Sequence, residues 1–115
     1  MTDKRTDVLY GSLGLIILKT LEALGPLHGY RIARRIEQIS GENLVLNQGT
    51  LYPALLKLEQ AGWVTSSWGE SDSGRAVKIY ALTKSGRKRL TADEAAWHHA
   101  TGIVARFFKI QDEKS

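Results

Sequence analysis

Three groups of residues in this chain have the types and spacing that chemistry needs. The first is basic: Arg75, Lys78, Lys84, Arg87, Lys88 and Arg89 follow one another with no acidic residue between them. Such a strip either contacts a polyanion through its phosphates or forms a solvated face. The second group is Gln48, Gly49, Thr50, Tyr52 and Lys57, which stand off an apolar Leu51, Leu55, Leu58 stripe. Glutamine can pair with an adenine edge, and a threonine methyl or hydroxyl can meet thymine or phosphate. Glycine lets a backbone approach a partner closely. The Tyr52 phenol can reach a phosphate while its ring packs on a helix pair, the alternative being a half-buried core aromatic.

The third group fails on inspection. His28 has no carboxylate or second histidine at metal spacing and reads as a hydrogen-bonded structural residue. His98 and His99 are adjacent on a helical stretch, so they point about 100° apart and chelate one metal poorly. Gly69-Glu70-Ser71-Asp72-Ser73 lacks the final glycine of a nucleophile elbow and sits between strands. No phosphate-cradling loop or nucleophile with a nearby base appears, so the chain is expected not to be an enzyme and to need no cofactor and no metal.

Positioning these groups falls to a single small domain. With 115 residues, 43% hydrophobic and 24% charged, the chain is long enough for one core and too short for two. Sixteen basic against twelve acidic residues give a formal charge of +4, a modest lean towards a polyanionic partner. There is no cysteine, which excludes disulfides, thiol catalysis and thiolate zinc sites. The longest strongly apolar stretch, Leu13 to Leu18, is far too short for a bilayer, and no export signal is visible. A cytoplasmic location without membrane contact is the expectation.

Glycine and proline cut the chain into blocks. Asp7 to Leu24 reads as a helix apolar on nearly every side, which needs cover from more than one direction. Gly25-Pro26 ends it. His28 to Ile39 carries Ile32, Ile36 and Ile39 as one stripe, with Arg31, Arg34 and Arg35 elsewhere and Tyr30 expected in the core. Asn47 to Ala61 forms a third helix closed by Gly62, with Asn47 or Thr50 as N-cap; Pro53 fits a first turn best, which favours Thr50. Trp63–Trp68 and Ala76–Leu82 are β-prone runs around a polar loop, a hairpin with a long mobile tip. Thr83 caps a final helix from Lys84 to about Ile110. Three helices, a hairpin and a long helix make a mainly α, α+β chain with the order of a winged helix-turn-helix. Residues 1–83 would form the winged unit and 84–115 a dimerisation helix and tail, within one structural domain. Asn47–Ala61 would be the recognition helix and the hairpin its wing. Arg34 and Arg35 lie on the helix that crosses the DNA backbone in this motif, and Arg75 and Lys78 on the wing.

The final helix carries a second pattern. Leu90, Trp97 and Val104 recur every seven residues, Ala100 and Phe107 add the other seam position, and Ala96, Ile103 and Ile110 widen it. A second copy is the natural cover for such a seam, the alternative being that the helix folds back on the first helix of its own chain.

Several segments, in order, resemble the PadR family of bacterial transcriptional regulators. They are Gly25-Pro26-Leu27-His28-Gly29-Tyr30-Arg31-Ile32, Gly49-Thr50-Leu51-Tyr52-Pro53-Ala54-Leu55, Leu58-Glu59-Gln60-Ala61-Gly62-Trp63-Val64, Lys78-Ile79-Tyr80-Ala81-Leu82-Thr83 and Ser85-Gly86. The single helix after the wing resembles the small subclass, in which that helix builds the dimer. The resemblance implies a homodimeric repressor on a roughly palindromic double-stranded DNA operator, released in some cases by a small effector. It also implies a role for Trp97, since in some small relatives a tryptophan here lines a pocket at the dimer centre and stacks on aromatic compounds. One departure stands out: Gly74-Arg75-Ala76-Val77 replaces the consecutive basic or proline residues common at the wing tip, so fewer wing contacts are expected. Two other classes remain: a winged-helix module that binds protein, and a small-molecule sensor without specific DNA binding.

Overall fold

The computed structural model describes residues 12–111. Its elements run α1 (Leu13–Leu24), β1 (Leu27–His28), α2 (Gly29–Ile39), α3 (Gln48–Gln60), β2 (Val64–Glu70), β3 (Ala76–Leu82) and α4 (Lys84–Phe108). The order is that of a winged helix-turn-helix; the expected start of the first helix at Asp7 lies outside the described residues. The strands form one antiparallel sheet in the order β1-β3-β2. β1 is a two-residue strand that sequence periodicity cannot register. It pairs Leu27 with Tyr80 and His28 with Ile79, stitching the entrance of α2 to the wing.

The apolar α1 is central, packing against α2, α3, β3 and α4. Ile17, Leu18 and Leu21 of α1 meet Ile32 and Ile36 of α2, Leu51, Leu55 and Leu58 of α3, Val64, Tyr80 and Leu90 in one core. Burying each such side chain contributes about 1.5–3 kcal/mol before entropy is subtracted. Two residues expected in this core lie outside it. Tyr30 is exposed, half a turn away from Ile32 on the wheel, and stacks on His28. Ile39 keeps the phase of its stripe, but α2 has by then run past the core, and its side chain is exposed.

Caps fix where the helices begin and end. His28 caps α2 through Nδ1, which accepts the Arg31 N–H at 3.4 Å. Asn47, not Thr50, caps α3: its Oδ1 accepts the Thr50 N–H at 3.0 Å. Pro53 therefore lies inside the helix, where it cannot donate to the Gly49 carbonyl, and the helix accepts one missing bond near its start. Gly62 takes φ +80° after α3, and the Gly62 and Trp63 amides bond back to Glu59 and Leu58 carbonyls, closing the helix.

Thr83 joins two elements with one hydroxyl. It donates to the Gly62 carbonyl at 2.7 Å and accepts the Gly86 N–H at 2.9 Å, capping α4 as expected. Gly86 is buried, and a Cβ there would run into the Trp63 carbonyl oxygen. Only glycine lets α4 start this close to the chain leaving α3. Its first turns belong to the winged core, since Leu90 is 1% exposed. Further along, α4 follows α1 as far as the Trp97–Thr101 region, and every side chain from 102 to 111 is exposed.

Candidate nucleic-acid interface

With Leu51, Leu55 and Leu58 turned inward, the 3.6-residue period puts Gly49, Pro53, Leu56 and Gln60 on the outer face of α3. Gln48 and Tyr52 lie on the flank next to α2, Thr50 and Lys57 on the other flank. Gln48, Gly49, Tyr52 and Lys57 are exposed and Thr50 is half-buried. Sequence reasoning missed Leu56, which is exposed on the outer face and offers apolar contact of the kind a thymine methyl accepts. The helical wheel carried that signal, because Leu56 falls well off the Leu51, Leu55, Leu58 stripe.

Tyr52 is placed by a glycine. A Cβ on Gly29 would lie 2.7 Å from the Tyr52 hydroxyl oxygen and 3.0 Å from ring carbons. The bare start of α2 thus lets the ring lie across the helix pair with its hydroxyl against the buried Gly29. Arg34, Gln48 and Tyr52 share the wall of a cleft of about 290 Å³ between α2 and α3.

The arginines of α2 have local partners. Arg34 pairs with Glu37 at 3.0 Å, Arg35 donates to Gln38 at 2.8 Å, and Arg31 reaches Asp72 on the wing at 3.9 Å. Exposed pairs of this kind hold their charges weakly, so a phosphate can displace the partner. The strip from 75 to 89 is not one continuous face. Arg87 turns to Glu22 of α1 at 3.7 Å, while Arg89 pairs with Asp93 at 3.0 Å and covers the Trp63 ring at 4.5 Å. Arg75, Lys78, Lys84 and Lys88 remain without an ion pair among the described residues.

Behind this surface, Tyr80 sits in the core of the sheet. Burial, with the nearby Glu59 and Tyr52, raises its phenol above the ordinary tyrosine value. Glu59 also accepts a hydrogen bond from the Ser66 hydroxyl at 2.6 Å, tying α3 to β2.

The expected seam residues divide into two sets. Leu90 is a correction: it is buried within its own chain, because the heptad begins before α4 has left the winged core. Trp97 is 46% exposed, and Ala100, Ile103, Val104 and Phe107 are exposed as well. Trp97 forms one wall of a groove of about 590 Å³ between α1 and α4, with Leu15, Ile16, Ala23 and Ile39 opposite. Ile39, absent from the core, is thus accounted for. The rim is charged: Lys19 bonds Glu22 at 2.8 Å and approaches Glu94 at 3.7 Å. That bond raises the Lys19 ammonium above its ordinary value and lowers the Glu22 carboxyl below its own. Neither His98 nor His99 joins a metal-binding cluster among the described residues.

A helix pair with an outward α3, a three-stranded wing and a projecting helix defines the class of winged helix-turn-helix transcription regulators. Residues 17–92 match the Transcriptional regulator PadR-like family, and the chain belongs to it. A transcriptional regulator from Clostridium thermocellum superimposes with a TM-score of 0.79 at 30% identity, covering 90% of this chain and 99% of that one. A PadR family transcriptional regulator from Eggerthella lenta gives 0.77 at 26% identity, over 91% of this chain and 88% of the other. Transcriptional regulator Rv3488 of Mycobacterium tuberculosis is 38% identical over 60 residues, 52% of this chain and 55% of that protein, so the match spans about half of each. The protein is accordingly a PadR-family transcriptional regulator, a family that binds DNA, and such regulators are not enzymes. Among the described residues no helix is long and apolar enough to cross a membrane.

Proposed function

We propose that the protein is a homodimeric repressor that works in the cytoplasm on a roughly palindromic operator. The observation that carries this reading is the far half of α4. There Trp97, Ile103, Val104 and Phe107 present an apolar side that the described residues leave largely exposed. A twofold partner buries such a surface symmetrically, and in doing so holds two α3 helices at a fixed separation. Each α3 enters a major groove with Gln48, Gly49, Thr50, Tyr52 and Lys57 towards the DNA, while Arg34, Arg35, Arg75 and Lys78 contact phosphates. Half-site centres then fall about 10–10.5 bp apart or at a multiple of that.

The groove beside Trp97 supports a further step. Its volume lies within the range of small-molecule sites, and its lining is apolar with a charged rim. A small aromatic effector stacked on Trp97 relieves repression if it favours one separation of the subunits over the other. Such a ligand quenches indole emission, and the quenching disappears in Trp97→Ala; Trp63 and Trp68 make that variant the necessary control.

The test of DNA binding is a pair of substitutions on α3. Thr50→Ala with Tyr52→Ala abolishes retardation of the operator while sedimentation still reports a dimer and circular dichroism a folded chain. Unchanged operator affinity in that double variant refutes the interface.

A further inference from the structure

Trp68 is 73% exposed on the wing, and neither the α3 surface nor the α4 seam uses it. Its register says which way it faces. Residues directly opposite in an antiparallel pair share a face, and the face alternates along each strand. Val64 pairs with Leu82, Ser66 with Tyr80 and Trp68 with Lys78, so all six lie on one side of the sheet. That side packs on α3: Tyr80 and Val64 are buried there, and Ser66 bonds Glu59 of α3. Trp68 and Lys78 continue the same face beyond the end of the packed region. The indole and the ammonium therefore extend the surface of the recognition helix outward along the wing.

Charge at the wing tip decides what sort of contact it makes. Glu70 and Asp72 offset Arg75 and Lys78, so the tip carries no net charge. Asp72 is directed to Arg31 at 3.9 Å, which draws one carboxylate towards α2. Beside Trp68 the cross-strand neighbour is the cation, Lys78. A wing of this composition adheres to a duplex through an apolar body beside its Arg75 and Lys78 phosphate contacts, not through net charge.

We infer that Trp68 is a DNA-binding residue. Its indole enters the minor groove flanking the site read by α3, against the deoxyribose and base edges, while Lys78 holds the adjoining phosphate. This rests on the proposed DNA-binding function and adds to it an aromatic anchor that gives affinity without counterion release. The residue is mostly exposed, so removing its ring leaves the core untouched.

The test compares full-length wild type, Trp68→Ala, Trp68→Phe and Lys78→Ala on one duplex selected by the wild type from a random pool. Affinity is measured across a salt series. Trp68→Ala loses about tenfold or more in affinity, with the slope of log affinity against log salt unchanged. Trp68→Phe recovers most of that loss. Lys78→Ala flattens the slope by about 1.8, about 0.9 for each of the two half-site phosphates no longer neutralised. Wild-type affinity in Trp68→Ala overturns the inference and leaves the operator reading intact. A loss that tracks dimer dissociation in sedimentation also overturns it, assigning the indole to a protein contact. A wild type that selects no duplex overturns the operator reading, and this inference with it.

Discussion

Gly86→Ala asks whether the seat of α4 is as tight as its geometry requires. The new Cβ runs into the Trp63 carbonyl oxygen and stands 2.8 Å from the Trp63 carbonyl carbon and 2.9 Å from Leu82 Cδ1. The obstruction is backbone, and that backbone is itself held by the Thr83 amide, which donates to the same oxygen at 3.1 Å. That carbonyl cannot swing aside as the Leu82 side chain can. Overpacking of this kind costs about 1–3 kcal/mol, against which alanine over glycine in a helix returns at most about 1 kcal/mol. With a backbone obstruction at the upper end of that range the net loss is about 1–2 kcal/mol, and at roughly 4–8 °C per kcal/mol for a domain of about 100 residues the melting temperature falls by roughly 4–16 °C. Gly102 supplies an internal control on the same helix, since a Cβ there meets nothing within 4 Å. Counting heptads from Trp97, Gly102 falls opposite the seam, so a partner helix does not reach it. Gly102→Ala should therefore stabilise by about 0.5–1 kcal/mol. Urea titration and thermal melting of both variants read out the difference. The same substitution, in one helix, moves stability in opposite directions. A Gly86→Ala protein that melts at or above wild type refutes the argument. Because the seat also directs α4 out of the winged core, a folded Gly86→Ala protein should retard operator DNA less than wild type.

Burial at two other positions has measurable consequences. Phe107 is 64% exposed, so covering it contributes roughly 1–2 kcal/mol per copy and 2–4 kcal/mol in a twofold dimer. Phe107→Ala should thus raise the dimer dissociation constant about 30- to 800-fold in sedimentation equilibrium; an unchanged constant removes Phe107 from the interface. Tyr80 bears on alkaline stability, because its folded-state value is raised above the unfolded one. Its contribution is fully present below about pH 10 and is lost as pH rises through the folded value. Between about pH 9 and 11 the melting temperature of wild type should fall more steeply than that of Tyr80→Phe; parallel slopes contradict this.

Local chemistry made much of the fold legible. Thr83 before Lys84 and Gly62 after Ala61 mark helix ends through bonds that each makes with its near neighbours, and both do what their types dictate. Asn47 against Thr50 was not decidable that way. Pro53 favours the later start, yet Asn47 Oδ1 accepts the Thr50 amide and the helix begins nearly a turn earlier. Ile39 and Leu90 depart for one reason, where a helix leaves or still meets its neighbours, whereas Tyr30 stands across the wheel from Ile32. Periodicity describes one helix and carries no information about how far along its length a neighbour reaches.

The candidate interface divides in the same way. The α3 residues follow from the wheel, whereas the pairing of Arg87 with Glu22 and of Arg89 with Asp93 depends on how α4 rests on α1. The sequence singles out Arg75 and Lys78 among six cations; packing distinguishes those with partners from those without. The importance of Gly29 and Gly86 was likewise invisible until the Tyr52 ring and the Trp63 carbonyl were placed beside them.

The central claim is that two copies of this chain hold two α3 helices against successive turns of one duplex. Selection of bound duplexes from a random pool by the full-length protein tests it most directly. The recovered sequences should carry two inverted half-sites with centres about 10–10.5 bp apart or at a multiple of that, and the complex should sediment as two chains per duplex. Recovery of a single unpaired half-site bound by one chain, or of no enriched sequence at low salt, contradicts it.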